Sequence, residues 1–275
     1  MLTRFAPSPT GLLHLGHAYA AVYAYDMAEE NGGRFYLRFE DIDTTRIRSE
    51  FYLAIEQDLA WLGVQWDGTP IRQTDRLPIY QEALEELRSL GVIYPCFCTR
   101  REIQKEIEVM GNAPHGPEGA HYPGTCRALT SSEREDRINA GDTHCWRLDT
   151  RLAAKQTGSL VFEDEFEGQV VVDAHLLGDV VLARKDITTS YHLAVVIDDA
   201  FQKITDVTRG ADLLASTHVH RTLQKLLALP APHYHHHRLI LDTHGKRLAK
   251  RNDALTIRSL RELGKSPTEV IDMLA

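Results

Sequence analysis

Two histidines three positions apart, His14 and His17, stand where a Pro/Gly-rich loop gives way to an apolar pattern with helical spacing. At this spacing both imidazoles lie on one side of the first helical turn. The free N–H groups and the dipole of a helix start favour a bound anion, and Gly16 removes a side chain between the two rings. The pattern fits a reaction in which negative charge develops on an α-phosphate and two imidazoles donate hydrogen bonds to it.

Three of the four cysteines follow a spacing that could hold a metal ion. Cys96 and Cys98 are two positions apart, and Cys126 follows after a Gly/Pro-rich connector with few apolar residues to pack. Three thiolates bind a tetrahedral Zn²⁺ if a fourth ligand is supplied, and the metal would stabilise this connector. Cys145 lies in a strand-like run and is predicted to pack in the core. The candidates for the fourth ligand are His115, His121, Tyr122 and water.

The elements that must position these residues alternate between strand and helix. Leu2 to Ala6 and Arg34 to Phe39 have strand patterns, and apolar residues at helical spacing follow each of them. This alternation predicts an α/β fold with a parallel sheet. It stops near Val92 and resumes near Ser190. The intervening section, which bears the cysteines and short β-like runs, is predicted to be an inserted, smaller α+β domain.

A histidine-rich run, His233-Tyr234-His235-His236-His237, lies near the end of the chain. A strand is predicted directly after it, at Arg238 to Leu241. Consecutive residues of an extended chain point alternately to opposite faces. We therefore predict an imidazole-lined segment near the nucleotide site, with at most one functional histidine and no metal ligand.

The composition is that of an ordinary globular protein. The 275 residues include 43% hydrophobic and 25% charged residues and carry a formal net charge of −8, which excludes disordered, collagenous and coiled-coil classes. The acidic balance argues against indiscriminate nucleic-acid binding but not against a local basic groove. No apolar run approaches the roughly 20 residues that span a bilayer, and the N-terminus lacks the pattern of a secretory signal. We expect a cytoplasmic monomer without a membrane partner.

The stretch from Arg4 to Ala18, RFAPSPTGLLHLGHA, resembles the signature of the glutamyl class of class I aminoacyl-tRNA synthetases. The His-X-Gly-His element, here His14, Gly16 and His17, corresponds to the first ATP-binding motif of that class. The resemblance implies a Rossmann-type catalytic fold in which His14 and His17 are catalytic residues.

The second ATP motif of the family is a loop of the Lys-Met-Ser-Lys-Ser type, and residues 247–251 resemble it. The resemblance implies that Arg247, Leu248 and Lys250 bind ATP. Lys250 would then be the catalytic cation that neutralises charge on the phosphates during adenylation. Ala249 replaces the middle serine, so a hydroxyl contact is missing there.

With this resemblance the chain divides into four predicted segments. They are 1–91, the first half of the Rossmann-type catalytic domain; 92–189, the inserted zinc-bearing connective domain; 190–244, the second half of the catalytic domain; and 245–275, with the second ATP loop and a short C-terminal helical segment.

The same resemblance implies a pocket for L-glutamate. Glu40 would bind the ammonium group. Arg4 and Arg209 would bind the side-chain carboxylate, since guanidinium groups form paired hydrogen bonds with carboxylates, and Tyr191 would form a hydrogen-bonding wall. The residues that the first loop contributes are Arg4, Phe5, Ala6, Pro7 and Ser8.

The length of chain after the second ATP loop separates the members of the family. Only 24 of the 275 residues follow Arg251, whereas a complete glutamyl-tRNA synthetase carries a long helical domain there to read the anticodon. The chain therefore resembles the truncated paralogues, the glutamyl-Q tRNA(Asp) synthetases. This resemblance implies activation of L-glutamate with ATP and Mg²⁺, without tRNA, and transfer of the glutamyl group to queuosine in the anticodon loop of tRNA(Asp).

The resemblance to these paralogues also implies one structural Zn²⁺. Its ligands would be Cys96, Cys98, Tyr122 and Cys126, whereas ligand chemistry alone favours His121 over a phenolate.

Two other functions are compatible with the same sequence. The chain could be a compact glutamyl-tRNA synthetase that charges tRNA(Glu), or a non-catalytic RNA-binding relic that zinc holds together. The second is disfavoured because the proposed catalytic and binding residues are intact, namely His14, His17, Glu40, Arg209 and Lys250.

Overall fold

The computed structural model describes residues 1–110, 115–117, 119–240 and 256–274, so the predicted second ATP motif lies outside the described residues. None of the described helices combines the length and the apolar character that crossing a membrane requires. The helices are α1 (Leu15–Glu30), α2 (Ser49–Trp61), α3 (Leu77–Ser89), α4 (Arg100–Met110), α5 (Ser131–Asn139), α6 (Thr150–Thr157), α7 (Tyr191–Phe201), α8 (Leu214–Leu226), α9 (Ile257–Glu262) and α10 (Pro267–Asp272). The strands are β1 (Leu2–Phe5), β2 (Arg34–Phe39), β3 (Ile71–Arg72), β4 (Ile93–Cys96), β5 (His115–Gly116), β6 (Gly119–Ala120), β7 (Cys145–Leu148), β8 (Val161–Asp164), β9 (Gly168–Val171), β10 (Val181–Ala183), β11 (Asp206–Gly210) and β12 (His233–His237).

A parallel sheet in two parts forms the centre of the fold. Strands β1, β2 and β3 pair in parallel in that order. Strand β12 pairs in parallel with β11 on one side and β8 on the other, and β9 is an antiparallel edge strand. The two parts adjoin at β1 and β11, where the Thr205 amide donates a hydrogen bond to the Leu2 carbonyl at 3.0 Å. The predicted α/β fold with a parallel sheet is confirmed.

Helix α1 packs on this sheet through a face of small residues. Ala18, Ala21, Ala24 and Ala28 recur at intervals of three or four positions and are fully buried. Because a methyl side chain is short, the helix backbone comes close to β1, and the Thr3 hydroxyl donates a hydrogen bond to the Ala24 carbonyl at 2.7 Å. This packing fixes where the first turn of α1 lies relative to the ends of the strands.

The C-terminal helices α9 and α10 pack onto the same core as α1. Ile257 and Leu260 are buried in it. The Ile257 amide donates a hydrogen bond to the Leu13 carbonyl at 2.9 Å, and Thr256 forms a β-bridge with His14. The C-terminal segment is therefore attached to the loop that precedes α1.

A separate antiparallel sheet lies within the range 92–189. Its strands are β4, β7 and β10, with β7 in the centre. Strands β8 and β9 fall in the same range but extend the parallel sheet, where Asp164 pairs with Tyr234 of β12. The range 92–189 thus contributes strands to both sheets.

The predicted strand at Arg238 to Leu241 is wrong over Arg238 to Ile240, because the strand is the histidine-rich run itself, β12; Leu241 lies outside the described residues. Acceptors on neighbouring strands allow these imidazoles to be buried. His235 contacts Asp206 at 3.1 Å, and His236 contacts Asp164 at 2.6 Å. A hydropathy pattern predicts the strand at the more apolar residues that follow the run, because it does not show that neighbouring strands supply hydrogen-bond acceptors for the imidazoles.

Candidate active site

A cavity of about 370 Å³ opens at the carboxyl ends of β1, β2 and β11. This edge of a parallel sheet is where α/β proteins bind their ligands. The lining residues are Arg4, Phe5, Ala6, Ala20, Glu40, Tyr191, Thr208, Arg209, Gly210 and Leu213.

Six of the eight residues predicted for the amino-acid pocket line this cavity. Pro7 and Ser8 do not, and they lie in the loop after β1. The Pro7 carbonyl accepts a hydrogen bond from the Glu40 amide at 3.0 Å, so the loop positions the backbone of Glu40 from outside the cavity.

Arg209, near the end of β11, is buried among neutral groups. Its Nε donates to His236 Nε2 at 3.1 Å, and its Nη1 donates to His220 Nδ1 at 3.0 Å and to the Tyr191 hydroxyl at 3.3 Å. Its Nη2 donates to the Thr217 hydroxyl. A guanidinium has five N–H donors, so the described residues leave one donor on Nη2 without a partner and provide no carboxylate for the charge. Such a cation is a favourable site for a ligand carboxylate.

The imidazoles around Arg209 are held neutral. Burial, followed by the charge of Arg209, lowers the pKa of His220 well below 6.5 and that of His236 to about 4. His236 Nδ1 contacts Asp164 Oδ2 at 2.6 Å, which leaves Nε2 as the acceptor for Arg209. At neutral pH these rings add no positive charge. The positive charge at this end of the cavity is therefore that of the Arg209 guanidinium.

Arg4 differs from Arg209 because its charge is already paired. Its Nε and Nη2 contact the Asp199 carboxylate at 2.9 and 3.4 Å, and its Nη1 donates to the Thr208 carbonyl at 3.1 Å. Arg38 donates to the same carboxylate at 2.8 Å. Although burial opposes the effect, the two guanidiniums hold the pKa of Asp199 below its usual range. Arg4 therefore offers a ligand hydrogen-bond donors but little net charge.

Glu40, directly after β2, is the acidic group of the cavity. Its side chain is 19% exposed, and its Oε1 lies 3.8 Å from Arg38 Nη2. Burial raises the pKa of Glu40 to about 7, against the lowering effect of Arg38 and Arg4. A bound ammonium group would favour the ionised form, so ligand binding and proton release at Glu40 are linked.

This linkage predicts a pH dependence of amino-acid binding. Above pH 7 the Glu40 carboxylate is already ionised, whereas below its pKa of about 7 a ligand ammonium must displace a proton. We expect the KM for the amino acid to rise by about tenfold per pH unit below pH 6. Measurement of KM between pH 5.5 and 8 checks this, with Glu40→Gln as the comparison. A flat profile for the unmodified protein would contradict the assignment.

His14 and His17 meet at the start of α1, where their rings stack with centroids 3.7 Å apart. His14 Nδ1 accepts a hydrogen bond from the Gly16 amide at 3.1 Å, and His17 Nδ1 accepts one from the His14 amide at 3.3 Å. The two side chains thus form a capping box. Because both Nδ1 atoms accept, each neutral ring carries its proton on Nε2, where it can be donated to an anion. A Cβ on Gly16 would lie 3.1 Å from the His14 ring, so a larger residue there would push this ring by a few tenths of an ångström.

A smaller cavity of about 120 Å³ lies beside the two histidines. It shares Ala20, Gly210 and Leu213 with the larger cavity. A carboxylate in the larger cavity and a phosphate beside His14 and His17 would therefore be neighbours. The arrangement suits a reaction that joins the two groups.

Sequence reasoning missed the groups that hold Arg209. Thr217 and His220 lie on α8, and their contacts to β11 become apparent only in the folded chain. His236 had a partial signal, because it belongs to the histidine-rich run. Its register partner on β11 is Arg209, and a sequence pattern does not show strand register.

Three cysteines converge beside β4. Cys96, Cys98 and Cys126 place their sulfur atoms within 4.8 Å of one another, and the last two sulfurs are 3.4 Å apart. The Tyr122 hydroxyl lies 3.4 Å from Cys98 Sγ and accepts a hydrogen bond from the Cys126 amide at 2.9 Å. Cys145 is buried opposite Cys96 in the pairing of β4 with β7, so its predicted place in the core is confirmed.

Among the described side chains that were candidates for a fourth ligand, Tyr122 is the one that reaches the cysteines. His121 is engaged elsewhere, because its Nε2 contacts the Leu176 carbonyl at 3.0 Å. The side chain of His115 lies outside the described part of the chain.

Comparison with known proteins decides the family. The family model described as "tRNA synthetases class I (E and Q), catalytic domain" matches residues 1–275. The chain belongs to this family. The glutamyl-Q tRNA(Asp) synthetase of Rhodobacter capsulatus is 49% identical over 98% of this chain and 98% of its own length. The enzyme of that name from Nocardia farcinica is 42% identical over 98% of the chain and 82% of its own length. The predicted resemblance to the glutamyl-Q tRNA(Asp) synthetases is confirmed.

Solved class I synthetases share the fold. A glutamate tRNA ligase from Elizabethkingia meningosepticum, crystallised in complex with its amino acid, superposes with a TM-score of 0.84 at 31% identity. The alignment covers 100% of this chain and 60% of that one. Methionyl-tRNA synthetase from Mycobacterium tuberculosis aligns with a TM-score of 0.61 at 11% identity, a likeness of fold alone. The protein therefore has the parallel-sheet α/β fold of a class I catalytic domain, and it is a ligase of the aminoacyl-tRNA synthetase type.

Proposed function

We propose that the protein activates L-glutamate with ATP, without tRNA, and transfers the glutamyl group to queuosine in the anticodon loop of tRNA(Asp). The observation that carries the first step is Arg209, a buried cation without a described carboxylate partner, in a cavity that adjoins His14 and His17. The second step rests on the names of the relatives that match nearly the whole chain.

L-Glutamate would occupy the larger cavity with its side-chain carboxylate at Arg209. That carboxylate would accept the remaining N–H of Nη2 and the O–H of Tyr191, whose oxygen already accepts from Arg209. Arg4 would add a donor from its remaining N–H groups. The ammonium group would pair with Glu40 at the opposite wall, so the two ends of the amino acid would be held by opposite charges.

Adenylation would take place where the two cavities adjoin. An oxygen of the glutamate α-carboxylate attacks the α-phosphorus of ATP, and the bond to pyrophosphate breaks, which gives glutamyl-adenylate. The Nε2–H groups of His14 and His17 donate hydrogen bonds to the phosphate oxygens as negative charge develops on them. Gly16 and Gly210 line the smaller cavity, and because they have no side chains they leave its space open.

ATP would bind together with Mg²⁺, which neutralises part of the phosphate charge. We assign the same task to Lys250 of the second ATP motif, with Arg247 and Leu248 beside it. These three residues lie outside the described part of the chain, and their role rests on the sequence resemblance.

In the transfer step a hydroxyl of queuosine would attack the carbonyl carbon of the adenylate. The bond between that carbonyl and the phosphate breaks, AMP leaves, and an ester to the modified base forms. No covalent intermediate with the protein is required.

The exchange of labelled pyrophosphate into ATP tests the first step. We expect exchange that depends on L-glutamate and does not require tRNA. The second step is tested by glutamyl transfer to tRNA(Asp) with queuosine, tRNA(Asp) without it, and tRNA(Glu). Transfer to the first alone supports the proposal, and transfer to tRNA(Glu) would show a conventional synthetase. Exchange that appears only when tRNA is added would contradict tRNA-independent activation, and absence of exchange both with and without tRNA would exclude an adenylating enzyme.

We also propose that Cys96, Cys98, Tyr122 and Cys126 bind one structural Zn²⁺. Thiolates about 2.3 Å from a tetrahedral zinc lie roughly 3.8 Å from one another. The three sulfur atoms, within 4.8 Å of one another, need only a small adjustment to fit it, and Tyr122 supplies an oxygen beside them. The metal would hold the connector before Cys126 against β4, where few apolar side chains are available.

The fourth ligand can be tested by two matched substitutions. Tyr122→Phe is expected to weaken zinc binding by about tenfold or more, because one coordinating oxygen is lost while the ring remains. His121→Gln is expected to leave zinc binding unchanged, since His121 contacts the Leu176 carbonyl instead. Competition for zinc against a chromogenic chelator measures both, and the opposite pattern would assign the ligand to His121.

A further inference from the structure

A second group of metal-ligating side chains lies at the other end of the parallel strands. Glu165, His233 and His235 each place one ligand atom within 4.8 Å of the other two. His235 Nε2 lies 3.0 Å from His233 Nδ1 and 3.1 Å from Asp206 Oδ1. Asp206 and His233 are register partners at the starts of β11 and β12. The group is therefore at the amino ends of these strands, whereas both cavities are at the carboxyl ends.

Strand geometry brings the two imidazoles together. Residues two positions apart in a strand share a face, so His233 and His235 lie on one face of β12, with their ring centroids 4.7 Å apart. The side chains of consecutive residues in β12 point to opposite faces, so the whole histidine-rich run cannot bind one metal ion. His233 and His235 share a face, however, and a metal site can be formed by these two imidazoles together with the nearby carboxylates of Asp206 in β11 and Glu165 after β8.

This group contains few hydrogen-bond donors. His233 Nδ1 and Asp206 Oδ1 both lie within hydrogen-bond distance of His235 Nε2, which carries at most one proton when the ring is neutral, and a Glu165 carboxylate oxygen lies within 4.8 Å of a ligand atom of each imidazole. The other nitrogen of His235, Nδ1, is buried and has no hydrogen-bond partner among the described residues. Several acceptors around one point are the electrostatic condition for a bound cation.

The ligand types and separations select the class of cation. Nitrogen and oxygen ligands at 2.0–2.1 Å from a Zn²⁺ ion lie roughly 3.0–3.4 Å from one another, and the separations of 3.0 and 3.1 Å around His235 match that range. Imidazole favours transition metals, whereas Mg²⁺ and Ca²⁺ prefer oxygen ligands only. Glu165 is exposed and His233 half-buried, so a cation can reach the site from solvent.

We propose that Glu165, His233 and His235, with the Asp206 carboxylate beside His235, bind one divalent transition-metal cation of the zinc type, separate from the cysteine site. Such a cation joins the turn after β8 to the starts of β11 and β12. The Glu165 amide already donates a hydrogen bond to the Tyr234 carbonyl at 2.9 Å. The cation would therefore stabilise the edge of the parallel sheet without taking part in the reaction at its other end.

The test measures Co²⁺ binding to zinc-loaded full-length protein by calorimetry and visible absorption. We expect the unmodified protein to bind one Co²⁺ with the weak visible bands of nitrogen and oxygen ligands. Glu165→Gln and His233→Gln are expected to raise the Kd by at least tenfold each, while glutamate-dependent pyrophosphate exchange stays within about twofold. Both substitutions are at side chains that are not fully buried, so the fold should persist, as circular dichroism can verify.

His175→Gln is the matched control, because His175 is an exposed histidine outside both groups. Its Kd for Co²⁺ should equal that of the unmodified protein, and millimolar Mg²⁺ should not displace Co²⁺. An increase of less than tenfold in either Glu165→Gln or His233→Gln overturns the site. Displacement by Mg²⁺ overturns the assignment to a transition metal.

Discussion

Arg209→Leu is expected to lower kcat/KM for L-glutamate in pyrophosphate exchange by about a hundredfold or more. Removal of one partner from a buried, charge-assisted pair costs roughly 2–5 kcal/mol, and about 1.4 kcal/mol corresponds to a factor of ten. The loss should be large because Arg209 is the cation at this end of the cavity and its hydrogen-bond partners, His220, His236, Tyr191 and Thr217, are neutral groups.

Two comparisons separate this effect from a loss of fold. Arg88→Leu removes an arginine that is 54% exposed, forms a surface ion pair with Glu85 and lies over the Trp146 ring, away from both cavities, so exchange should stay near the unmodified level. The KM for ATP should change little in Arg209→Leu, since ATP would occupy the other cavity. Glutamate activation close to that of the unmodified protein in Arg209→Leu would show that the carboxylate binds elsewhere.

The second large effect is expected at the paired histidines. His17→Gln should lower kcat for pyrophosphate exchange by about a hundredfold to a thousandfold, because it removes one donor to the charge that develops on the α-phosphate. His14→Asn should have an effect of the same size. Each replacement removes the imidazole but keeps the capping of α1, since asparagine is a strong N-cap residue and glutamine can complete a capping box.

The choice of substitutions makes the catalytic and structural roles distinguishable. A purely capping role predicts that His14→Ala lowers the melting temperature and that His14→Asn restores both stability and activity. A catalytic role predicts that His14→Asn restores stability alone. Thermal unfolding and exchange kinetics on the same preparations decide between them, and recovery of activity in His14→Asn would refute the catalytic assignment.

The sequence predicted those parts of the site that are contiguous in the chain. His14, Gly16 and His17 lie within one loop and one helical turn, so their spacing already determines that they meet. The four-residue strand β1 and the alternation of strand and helix were predictable for the same reason, because local patterns report local structure. The convergence of Cys96 and Cys98 follows equally from their separation of two positions.

The surroundings of Arg209 could not be predicted in this way. His220 and His236 are 11 and 27 positions away from it in the chain, and Asp164 is 72 positions from His236. Their meeting depends on strand order and register, which sequence periodicity does not report. The wrong strand at Arg238 to Ile240 has the same cause, since the imidazoles of β12 are buried only where acceptors on β8 and β11 are available.

If L-glutamate binds as proposed, the neutral surroundings of Arg209 would also decide which amino acids the cavity rejects. Glutamine has nearly the shape of glutamate, but its amide would leave the guanidinium charge uncompensated in a buried site. If L-glutamate spans Glu40 and Arg209 as proposed, aspartate, which is one methylene shorter, would keep only one of the two contacts. A site that leaves a buried polar group unpaired can discriminate by a factor of about 10⁴ or more at the first step. Discrimination of that size at the amino-acid cavity would make the first step selective without a separate editing reaction.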